Sequence, residues 1–365
     1  MTSFRPDLVL VQKDSLQDDL TREILDRLSG ISVKTVDNIN APRPERDVHA
    51  SAAAGRRLIL TRFPGSFMKK CPGSGADICC NYFVINFALN CHLDCSYCVL
   101  QAYLDNPELI IFTNVQDLMD EVRGKLHAEP DKLFRIGTGE MADSLATDDI
   151  TCYSRHLVPF FAGLPNGILE LKTKSNRISN LKDLEHGGRT VVSWSLNSKS
   201  VCRSEEAKSV SLEDRVAAAR QCQEWGYKIG FHFDPLIYYP GWEADYQEAV
   251  RLALGSMDPA AIAWVSLGAL RFTPHLREIV RRRFPESRIS YGEFVPGHHG
   301  KLRYFRPIRE EMYLQMRTWI EEAAPGVLVY YCMENRTVWE RTSPGVPRDT
   351  AHLSDQLDSR VRSNP

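Results

Sequence analysis

The chain has 365 residues, of which 43% are hydrophobic and 25% charged, and its formal net charge is −2. These values are ordinary for a globular protein and exclude a collagen-like or low-complexity chain. No apolar run reaches the roughly 18 residues that a membrane span needs, and residues 1–7 lack the pattern of a signal peptide. Ten cysteines are too few for a disulfide scaffold and suit a reducing cytoplasm, where we expect the protein to be.

The predicted elements begin with a small leading module at residues 1–75. Thr21–Leu28 has the pattern of a helix, and Arg57–Phe63 alternates like a strand. The stretch at residues 38–46 has no hydrophobic period, so we expect a loop or linker there. Cys71–Gly75 is rich in turn residues and leads into the main domain.

The main domain, predicted at residues 76–268, alternates apolar runs with helical patterns. The predicted strands are Tyr82–Ala88, Lys132–Ile136, Ile168–Thr173, Thr190–Leu196, Tyr227–Phe233 and Ala263–Leu267. Helices are predicted to begin at the capping residues Asn114 and Ser211, and another covers Trp242–Leu254. Strands that alternate with helices favour an α/β fold of right-handed βα units. Six such units predict a partial (β/α)6 barrel.

The rest of the chain is predicted to complete this barrel. The carboxyl ends of parallel barrel strands meet at one mouth, where polar side chains carry the chemistry. Residues 269–342 form a C-terminal region that we expect to close the barrel and bind substrate, with a basic segment that forms a hairpin. The tail at residues 343–365 is polar and has no apolar period, so we expect it to be disordered.

Three cysteines follow the first predicted barrel strand at the spacing C-x3-C-x2-C. They are Cys91, Cys95 and Cys98, and Tyr97 precedes the last. Three thiolates on one loop can hold three corners of a [4Fe-4S] cluster and leave the fourth iron open to a substrate. A zinc site usually has four ligands, and no second pair at zinc spacing follows. The spacing therefore favours the cluster over zinc.

Polar residues at the ends of the next three strands are candidates for binding a small molecule. The second strand ends in Gly137, Thr138, Gly139 and Glu140. Its two glycines would let a ligand approach the backbone. Lys174 lies just beyond the third strand, and Ser195 and Asn197 lie at the end of the fourth; such polar groups can bind carboxylate and hydroxyl groups. Ordinary loop solvation would explain the same residues, so the pattern alone leaves both interpretations open.

A basic segment lies near the C-terminus. Between Arg271 and Arg309 there are ten basic and three acidic residues, with aromatic residues interleaved. Basic groups with stacking rings are what a phosphate backbone and unstacked bases require. The candidate nucleic-acid contacts are Arg271, Lys301, Arg303 and Arg306. A solvated helix face at 275–284 followed by a buried hairpin would give the same composition, and the sequence leaves both open.

These segments together resemble the spore photoproduct lyase family of radical S-adenosylmethionine (SAM) enzymes. The resemblance covers roughly residues 70–340. It rests on the cysteine loop and on the segments at residues 78–82, 172–174, 193–197, 226–235, 241–246 and 270–273. It implies that Cys91, Cys95 and Cys98 hold a [4Fe-4S] cluster whose open iron chelates SAM. It also implies that the segment ending in Glu140 receives the amino group of SAM, and that Lys174, Ser195 and Asn197 lie near the cofactor.

The resemblance also implies a reaction. Reductive cleavage of SAM would give a 5′-deoxyadenosyl radical, which abstracts hydrogen from a methylene-bridged thymine dimer in DNA or from another nucleic-acid substrate. We therefore expect a lyase of DNA repair with Tyr97 and Glu140 as catalytic candidates, and a flavodoxin or ferredoxin as electron donor. The alternatives are a radical SAM enzyme with an unrelated substrate and a non-catalytic Fe–S protein that binds nucleic acid. Release of 5′-deoxyadenosine would separate the enzymes from the binding protein.

The chain departs from the family pattern at two positions. Glu140 stands where the family has its hydrogen-donor cysteine, and Val99 stands where a tyrosine follows the third cluster cysteine. Cys152 and Cys332 are the nearest substitutes by position, although a free cysteine more often packs as a small buried hydrophobe. We therefore expect SAM cleavage to persist, but little direct reversal of the spore lesion unless one of these thiols reaches the site.

Overall fold

The largest element of the fold is an eight-stranded sheet that curls into a partial barrel. The computed structural model describes residues 4–39, 56–73, 77–297 and 300–362. From edge to edge, the strands are β16 (Val329–Tyr331), β12 (Ile262–Ala269), β11 (Lys228–Leu236), β10 (Thr190–Ser195), β9 (Gly167–Thr173), β8 (Phe134–Gly137), β5 (Phe83–Ile85) and β4 (Met68–Lys70). All neighbours are parallel except β4 and β5. The predicted parallel barrel is therefore confirmed.

Two strands of the second sheet come from the range that was predicted to belong to the barrel. Its order is β2 (Ser32–Val36), β1 (Leu8–Gln12), β3 (Arg57–Thr61), β7 (Leu109–Phe112) and β6 (Ala88–Leu89). The structure therefore does not separate residues 1–75 as a module, because β3 pairs with β7 and β4 pairs with β5 across the predicted boundary. The linker predicted at 38–46 lies mostly outside the described residues.

A third, small antiparallel sheet follows the barrel. Its order is β13 (Arg271–Phe272), β15 (Leu302–Arg303) and β14 (Val295–Pro296). The hairpin that was expected in the basic segment is therefore present. Two aromatic contacts, of Phe294 with Phe272 and with Tyr304, join its strands.

The crossovers between barrel strands carry most of the helices. The helices are α1 (Asp19–Arg27), α2 (Leu100–Tyr103), α3 (Val115–Ala128), α4 (Asp148–Thr151), α5 (Tyr153–Ala162), α6 (Lys199–Glu205), α7 (Leu212–Glu224), α8 (Trp242–Leu254), α9 (Pro274–Arg283), α10 (Arg306–Ala323), α11 (Arg336–Thr342) and α12 (Thr350–Ser359). Short 3-10 helices cover Lys13–Ser15, Ser179–Leu181 and Pro259–Ala261. None of the described helices combines the length and apolar character that a membrane span requires.

The six predicted strands and one of the two predicted helix caps agree with the structure. All six strands are present, and β10 and β12 are buried at every position, as expected for strands covered on both faces. Ser211 caps α7 as predicted, since its hydroxyl accepts from the Asp214 amide at 3.1 Å. Asn114 instead accepts from the Phe63 amide at 2.8 Å, so its side chain joins two segments rather than capping α3. Strands β1, β2, β4, β7 and β16 were not among the predicted elements.

The barrel interior is organised around one buried carboxylate, Glu170 on β9. It accepts hydrogen bonds from Ser193 Oγ at 2.5 Å, His232 Nε2 at 2.8 Å and Trp264 Nε1 at 3.2 Å. Although burial alone would raise the pKa of Glu170, the charge of His232 and these bonds hold it well below its ordinary value. The barrel core therefore contains a buried charge, which is stabilised by the hydrogen bonds that Glu170 accepts.

The tail predicted to be disordered contains the helix α12, which is a correction to the sequence analysis. Leu353 and Leu357 are buried on one face of this helix. Arg135 on β8 donates from Nε to Asp358 at 2.7 Å and from Nη2 to Ser354 Oγ at 3.1 Å. The prediction failed because the apolar pair is too short to give a visible period, and the ion pair joins residues far apart in the sequence.

We predict that Asp358→Asn lowers the free energy of unfolding by about 3–5 kcal/mol, because it leaves the buried Arg135 charge without its partner. Urea unfolding monitored by circular dichroism would measure the change. The control is Asp355→Asn on the exposed face of α12, which should stay within about 0.5 kcal/mol of the wild type. Equal effects of the two substitutions would contradict a structural role for the tail.

Candidate active site

The three cysteines of the predicted cluster lie on a loop that leaves the barrel mouth after β6. Two residues of this loop, Asn90 and Asp94, have left-handed φ angles of 75° and 51°. Asn and Asp tolerate this conformation better than other side chains. The Asn90 amide donates to Met141 O at 2.8 Å, which ties the loop to the segment after β8. The backbone therefore folds back on itself over the mouth.

The three thiols pack together and open into one large cavity. Cys91, Cys95 and Cys98 form a small cluster with Leu93 and Ala146, and all three line a cavity of about 1420 Å³. Burial raises the pKa of each thiol above its ordinary value. Such thiols ionise when a metal cation compensates for the lost hydration. A cationic iron cluster therefore fits the chemistry of this loop.

The spacing of possible ligands around the loop is compatible with a cluster. In the part of the chain that the structure describes, no three His, Cys, Asp or Glu side chains converge tightly enough to hold one metal ion. The cysteines of a [4Fe-4S] cluster bind three different irons, so their sulfur atoms need not converge on a single point.

A fully buried carboxylate, Glu206, lies beneath the cysteine loop. It accepts hydrogen bonds from the hydroxyl of Tyr97 and, at 3.1 Å, from Asn197 Nδ2. Arg215 Nη2 lies 2.6 Å from its Oε2, and Lys174 Nζ lies 3.8 Å from its Oε1. Burial alone would raise the pKa of Glu206, but the charges of Arg215 and Lys174 lower it to about 2. Sequence reasoning missed Glu206, which no motif marks.

Two of the predicted site residues, Tyr97 and Asn197, contact Glu206, which points to a positioning role for both. Tyr97 was a catalytic candidate, and its hydroxyl is engaged by Glu206, so it anchors the loop. Asn197 was a cofactor candidate, and it is fully buried between Glu206 and the hydroxyl of Tyr246. It is not among the described residues that line the cavity. Both side chains therefore act through Glu206 on the loop that carries the cysteines.

Lys174 and Ser195 do reach the cavity, as the sequence predicted. The ammonium group of Lys174 donates to the hydroxyl of Ser195, and both side chains line the cavity with the cysteine loop. Lys174 Nζ also lies 5.7 Å from the centre of the Tyr97 ring. A lysine and a hydroxyl at this point could bind the carboxylate and ribose of a cofactor, as expected.

The segment after β8 divides between structural and cavity-facing residues. Gly137 leaves room for another side chain, because a Cβ there would lie 1.5 Å from the hydroxyl of Tyr82. Thr138 is buried and donates to Ser144 Oγ at 2.6 Å. Gly139 and Glu140 line the cavity. Partial burial raises the pKa of Glu140, although the positive charge of a nearby lysine acts to lower it. Only the second half of the predicted segment is therefore placed to contact a ligand.

Asp143, three residues after Glu140, is a cavity-lining residue that sequence reasoning missed. Its Oδ1 accepts from Thr173 Oγ1 at 2.6 Å and its Oδ2 from the Lys174 amide at 2.7 Å. It also accepts from the amides of Leu145 and Ala146 at 3.0 and 2.8 Å. This carboxylate therefore fixes the segment after β8 against the end of β9.

Two of the four predicted nucleic-acid contacts are engaged within the protein. Arg271 pairs with Asp234 through two contacts of 3.1 Å at the cavity wall. Arg303 donates to Glu334 at 2.8 Å, and Glu334 is fully buried. Lys301 lines the cavity, and its pKa is lowered by burial and by Arg271. Arg306 is about half exposed, with Glu310 at 3.4 Å. Lys301 and Arg306 are therefore the better placed of the four for a phosphate.

The basic helix α9 also contacts the cysteine loop from outside the barrel. Arg283 Nη2 donates to Asp94 at 2.8 Å, and Nη1 donates to the side chain of Gln101. Gln101 in turn donates from Nε2 to the carbonyls of Cys95 and Ser96 at 2.9 and 3.0 Å. Part of the basic segment therefore has a structural role, in which it holds the loop in place.

The comparisons with known proteins agree with this architecture. A family model described as "Spore photoproduct lyase" matches residues 4–332. The spore photoproduct lyase of Geobacillus sp. (strain Y412MC61) is 24% identical over 346 residues, which are 91% of this chain and 99% of that protein. The spore photoproduct lyase of Bacillus subtilis (strain 168) is 23% identical over 349 residues, or 90% and 98% of the two chains.

Solved structures extend this agreement to the fold. A cysteine-to-alanine variant of spore photoproduct lyase with dinucleoside spore photoproduct has a TM-score of 0.81 and 26% identity, and the match covers 90% of this chain and 100% of that one. A double variant with bound AdoMet and dinucleoside spore photoproduct has a TM-score of 0.80 and 25% identity over the same shares.

We predict that replacing Cys91, Cys95 or Cys98 with Ala abolishes the absorbance of the reconstituted cluster, because three ligands leave no redundancy. Iron analysis and absorbance spectra after anaerobic reconstitution would measure the loss. Cys222→Ala is the control, since this buried thiol does not line the cavity and should leave the iron content unchanged. Full iron content in all three variants would refute the assignment.

We predict that Glu206→Gln lowers the free energy of unfolding at pH 7 by about 3 kcal/mol, because it leaves Arg215 buried without a counter-charge. The pKa of Glu206 is about 2 in the folded protein, which is below its value in the unfolded chain. The ionised carboxylate therefore stabilises the fold at pH values above the unfolded pKa, and this stabilisation is lost as the pH falls toward the folded pKa. The difference between the two proteins should therefore shrink as the pH falls from about 4 to about 2.

Thermal unfolding of the wild type and Glu206→Gln across this pH range would test the sign. Glu224→Gln, on the exposed face of α7, serves as the control and should change little at any pH. A difference that grows toward acid would contradict the assigned charge of Glu206.

Proposed function

The chain belongs to the spore photoproduct lyase family and is a radical SAM enzyme, and we propose that it splits a methylene-bridged thymine dimer in DNA. The observation that carries this proposal is one cavity, which is lined by the three loop cysteines and by Glu140, Lys174 and Ser195. A cluster, a cofactor and a substrate would meet there. The relatives whose structures contain dinucleoside spore photoproduct support the choice of substrate.

In this proposal, Cys91, Cys95 and Cys98 hold a [4Fe-4S] cluster, and Gly139, Glu140, Lys174 and Ser195 hold SAM. When bound, these groups supply a 5′-deoxyadenosyl radical that abstracts a hydrogen atom from the substrate. The protein positions them: Glu206 holds the loop from below through Tyr97, and Arg283 holds it from outside.

The size of the cavity supports two ligands. A pocket for one small molecule has about 300–1,000 Å³, whereas this cavity has about 1420 Å³. Its far wall carries the paired Arg271 and Asp234 and, beside them, Lys301. We propose that Lys301 contacts the phosphate or base edge of the lesion, while the exposed side chains of Arg306 and Phe305 contact the flanking DNA.

The remaining partners follow from the same chemistry. A cluster that reduces SAM needs one electron per turnover, and we propose a flavodoxin or ferredoxin as its source. The ten cysteines are free thiols in the structure, which suits the reducing cytoplasm that we propose as the location. Glu140 stands where the family has its hydrogen-donor cysteine. This replacement does not by itself argue against repair, because other thiols line the same cavity.

We predict that the anaerobically reconstituted protein, given SAM, a one-electron reductant and dinucleoside spore photoproduct, forms 5′-deoxyadenosine and returns thymines. Liquid chromatography with mass spectrometry would measure both products. A cyclobutane thymine dimer is the matched substrate control and should not be repaired, because it has no methylene bridge.

Lys174→Ala is the matched protein control. It should keep its iron but form at least tenfold less 5′-deoxyadenosine, since it removes a group assigned to SAM. Formation of 5′-deoxyadenosine without any return of thymine would contradict the proposed substrate. A protein that binds its cluster and forms no 5′-deoxyadenosine would be a binding protein instead.

A further inference from the structure

Four cysteines outside the cluster loop line the same cavity. They are Cys71, Cys79, Cys80 and Cys332. The other three, Cys152, Cys202 and Cys222, are buried and are not among the described residues of the cavity wall. Cys152, which was a candidate by position, lies at the junction of α4 and α5, where Asn180 Nδ2 approaches its sulfur at 3.4 Å. It is a structural thiol.

These thiols lie along the seam where the two edges of the open barrel approach each other. Cys332 follows the edge strand β16, and Cys71 follows the opposite edge strand β4. A bridge between Ile78 and Glu334 joins the two sides of the seam. A negative charge on Cys71 would raise the pKa of Cys332. A substrate in the cavity would therefore face thiols from both edges.

Cys332 and Cys71 reach the cavity from different kinds of edge strand. Cys332 comes at the carboxyl end of its strand, as do Lys174, Ser195 and the cysteine loop. Because β4 is antiparallel to β5, Cys71 pairs with Tyr82, which precedes β5 at the end opposite the cysteine loop. Cys332 therefore shares its strand end with the residues assigned to the cluster and SAM, whereas Cys71 reaches the cavity from the antiparallel edge strand.

The position of Cys332 is fixed by backbone and side-chain contacts. Its amide donates to Leu267 O at 2.8 Å, which extends the pairing of β16 with β12. Its thiol lies beside Asp234, whose negative charge helps to raise the pKa of Cys332, and Arg271 Nη2 lies 3.5 Å from its sulfur. Asp234 and Arg271 also line the cavity and pair with each other. The S–H group is thus held at the wall beside the substrate space.

The adjacent pair Cys79 and Cys80 is less suited to hydrogen-atom donation. The two adjacent thiols interact, which lowers the pKa of Cys79 to about 6 and raises the pKa of Cys80. A thiolate has no hydrogen atom to give, and Cys80 interacts with that thiolate. Burial and the neighbouring Asp234 instead raise the pKa of Cys332 to about 12, so it keeps its proton at neutral pH.

We propose that the thiol of Cys332 donates the hydrogen atom that quenches the substrate radical in this chain, in place of the cysteine that Glu140 replaces. The inference rests on the proposed function. A thiol gives a hydrogen atom readily to a carbon radical because its S–H bond is weaker than an ordinary C–H bond, whereas a carboxylate at Glu140 has none to give. The S–H bond of Cys332 breaks homolytically and a C–H bond forms on the product carbon. The thiyl radical left on sulfur takes one electron from the proposed flavodoxin or ferredoxin and one proton from water to become a thiol again, and 5′-deoxyadenosine leaves as a product.

A first experiment needs no cluster. In the cluster-free protein, dinucleoside spore photoproduct should slow alkylation of Cys332 by N-ethylmaleimide at least fivefold, as measured by peptide mass spectrometry. Undamaged thymidylyl-thymidine is the matched probe and should protect much less. Equal alkylation of Cys332 with and without the photoproduct would overturn the inference, since the donor must lie against the substrate.

A second experiment separates donation from structure. Cys332→Ser keeps the size and the contact with Asp234, but its O–H bond is too strong to donate a hydrogen atom. This variant should still form 5′-deoxyadenosine but return at least tenfold less thymine. When the reaction is run in deuterated water, the wild type should place deuterium in the returned thymine, and the variant should not. Cys71→Ser is the matched control and should keep thymine return and label.

The outcomes of this experiment are distinguishable. Full thymine return and label in Cys332→Ser would overturn the inference, as would their loss in Cys71→Ser alone. A wild type that forms no 5′-deoxyadenosine would contradict the proposed function instead, and the alkylation experiment would still decide whether Cys332 lies against the photoproduct.

Discussion

The buried carboxylate of Glu206 is the contact on which the candidate active site depends. It is fully excluded from water, and it is tolerated there because Arg215 neutralises it and Tyr97 and Asn197 donate to it. A buried ion pair contributes little net stability but is costly to break, so it acts mainly to specify one arrangement. Here that arrangement places Tyr97, between the second and third cluster cysteines, against the end of the barrel.

The rest of the site is organised around this fixed point. The same carboxylate lies 3.8 Å from Lys174, so one group orients both the cluster loop and a predicted cofactor ligand. Arg283 holds the loop from outside through Asp94, and Asp143 holds the segment after β8 against the end of β9. Positioning of this kind suits radical chemistry, in which the protein contributes geometry and the exclusion of water while the cofactors supply the reactive species.

The open barrel explains why the cavity is large and why its far wall is rich in thiols. An incomplete ring of strands leaves two edges, and the residues that follow these edges border the gap. Cys71 and Cys332 occupy these positions, and Arg271 with Asp234 supports the second of them. The basic segment has two roles for the same reason: Arg271 and Arg303 complete the barrel wall, whereas Lys301 and Arg306 remain nearer to a ligand.

Features that neighbouring residues encode could be predicted from the sequence alone. The spacing of Cys91, Cys95 and Cys98 identified the cluster loop, and the alternation of apolar runs with helical patterns identified the six main strands. Lys174 and Ser195 were found because they directly follow strands whose carboxyl ends must share one mouth. Spacing and period are properties of neighbouring residues, so they can be read without knowing the fold.

Tertiary structure decided what depends on residues far apart in the chain. Tyr97 and Glu206 are separated by 109 positions, and Arg135 and Asp358 by 223, so no local pattern indicates either pair. The short strands β7 and β16 are stabilised by their neighbours rather than by their own period. For the same reason, only the fold could show that Arg303 is paired with a buried carboxylate and that Cys332, but not Cys152, reaches the cavity.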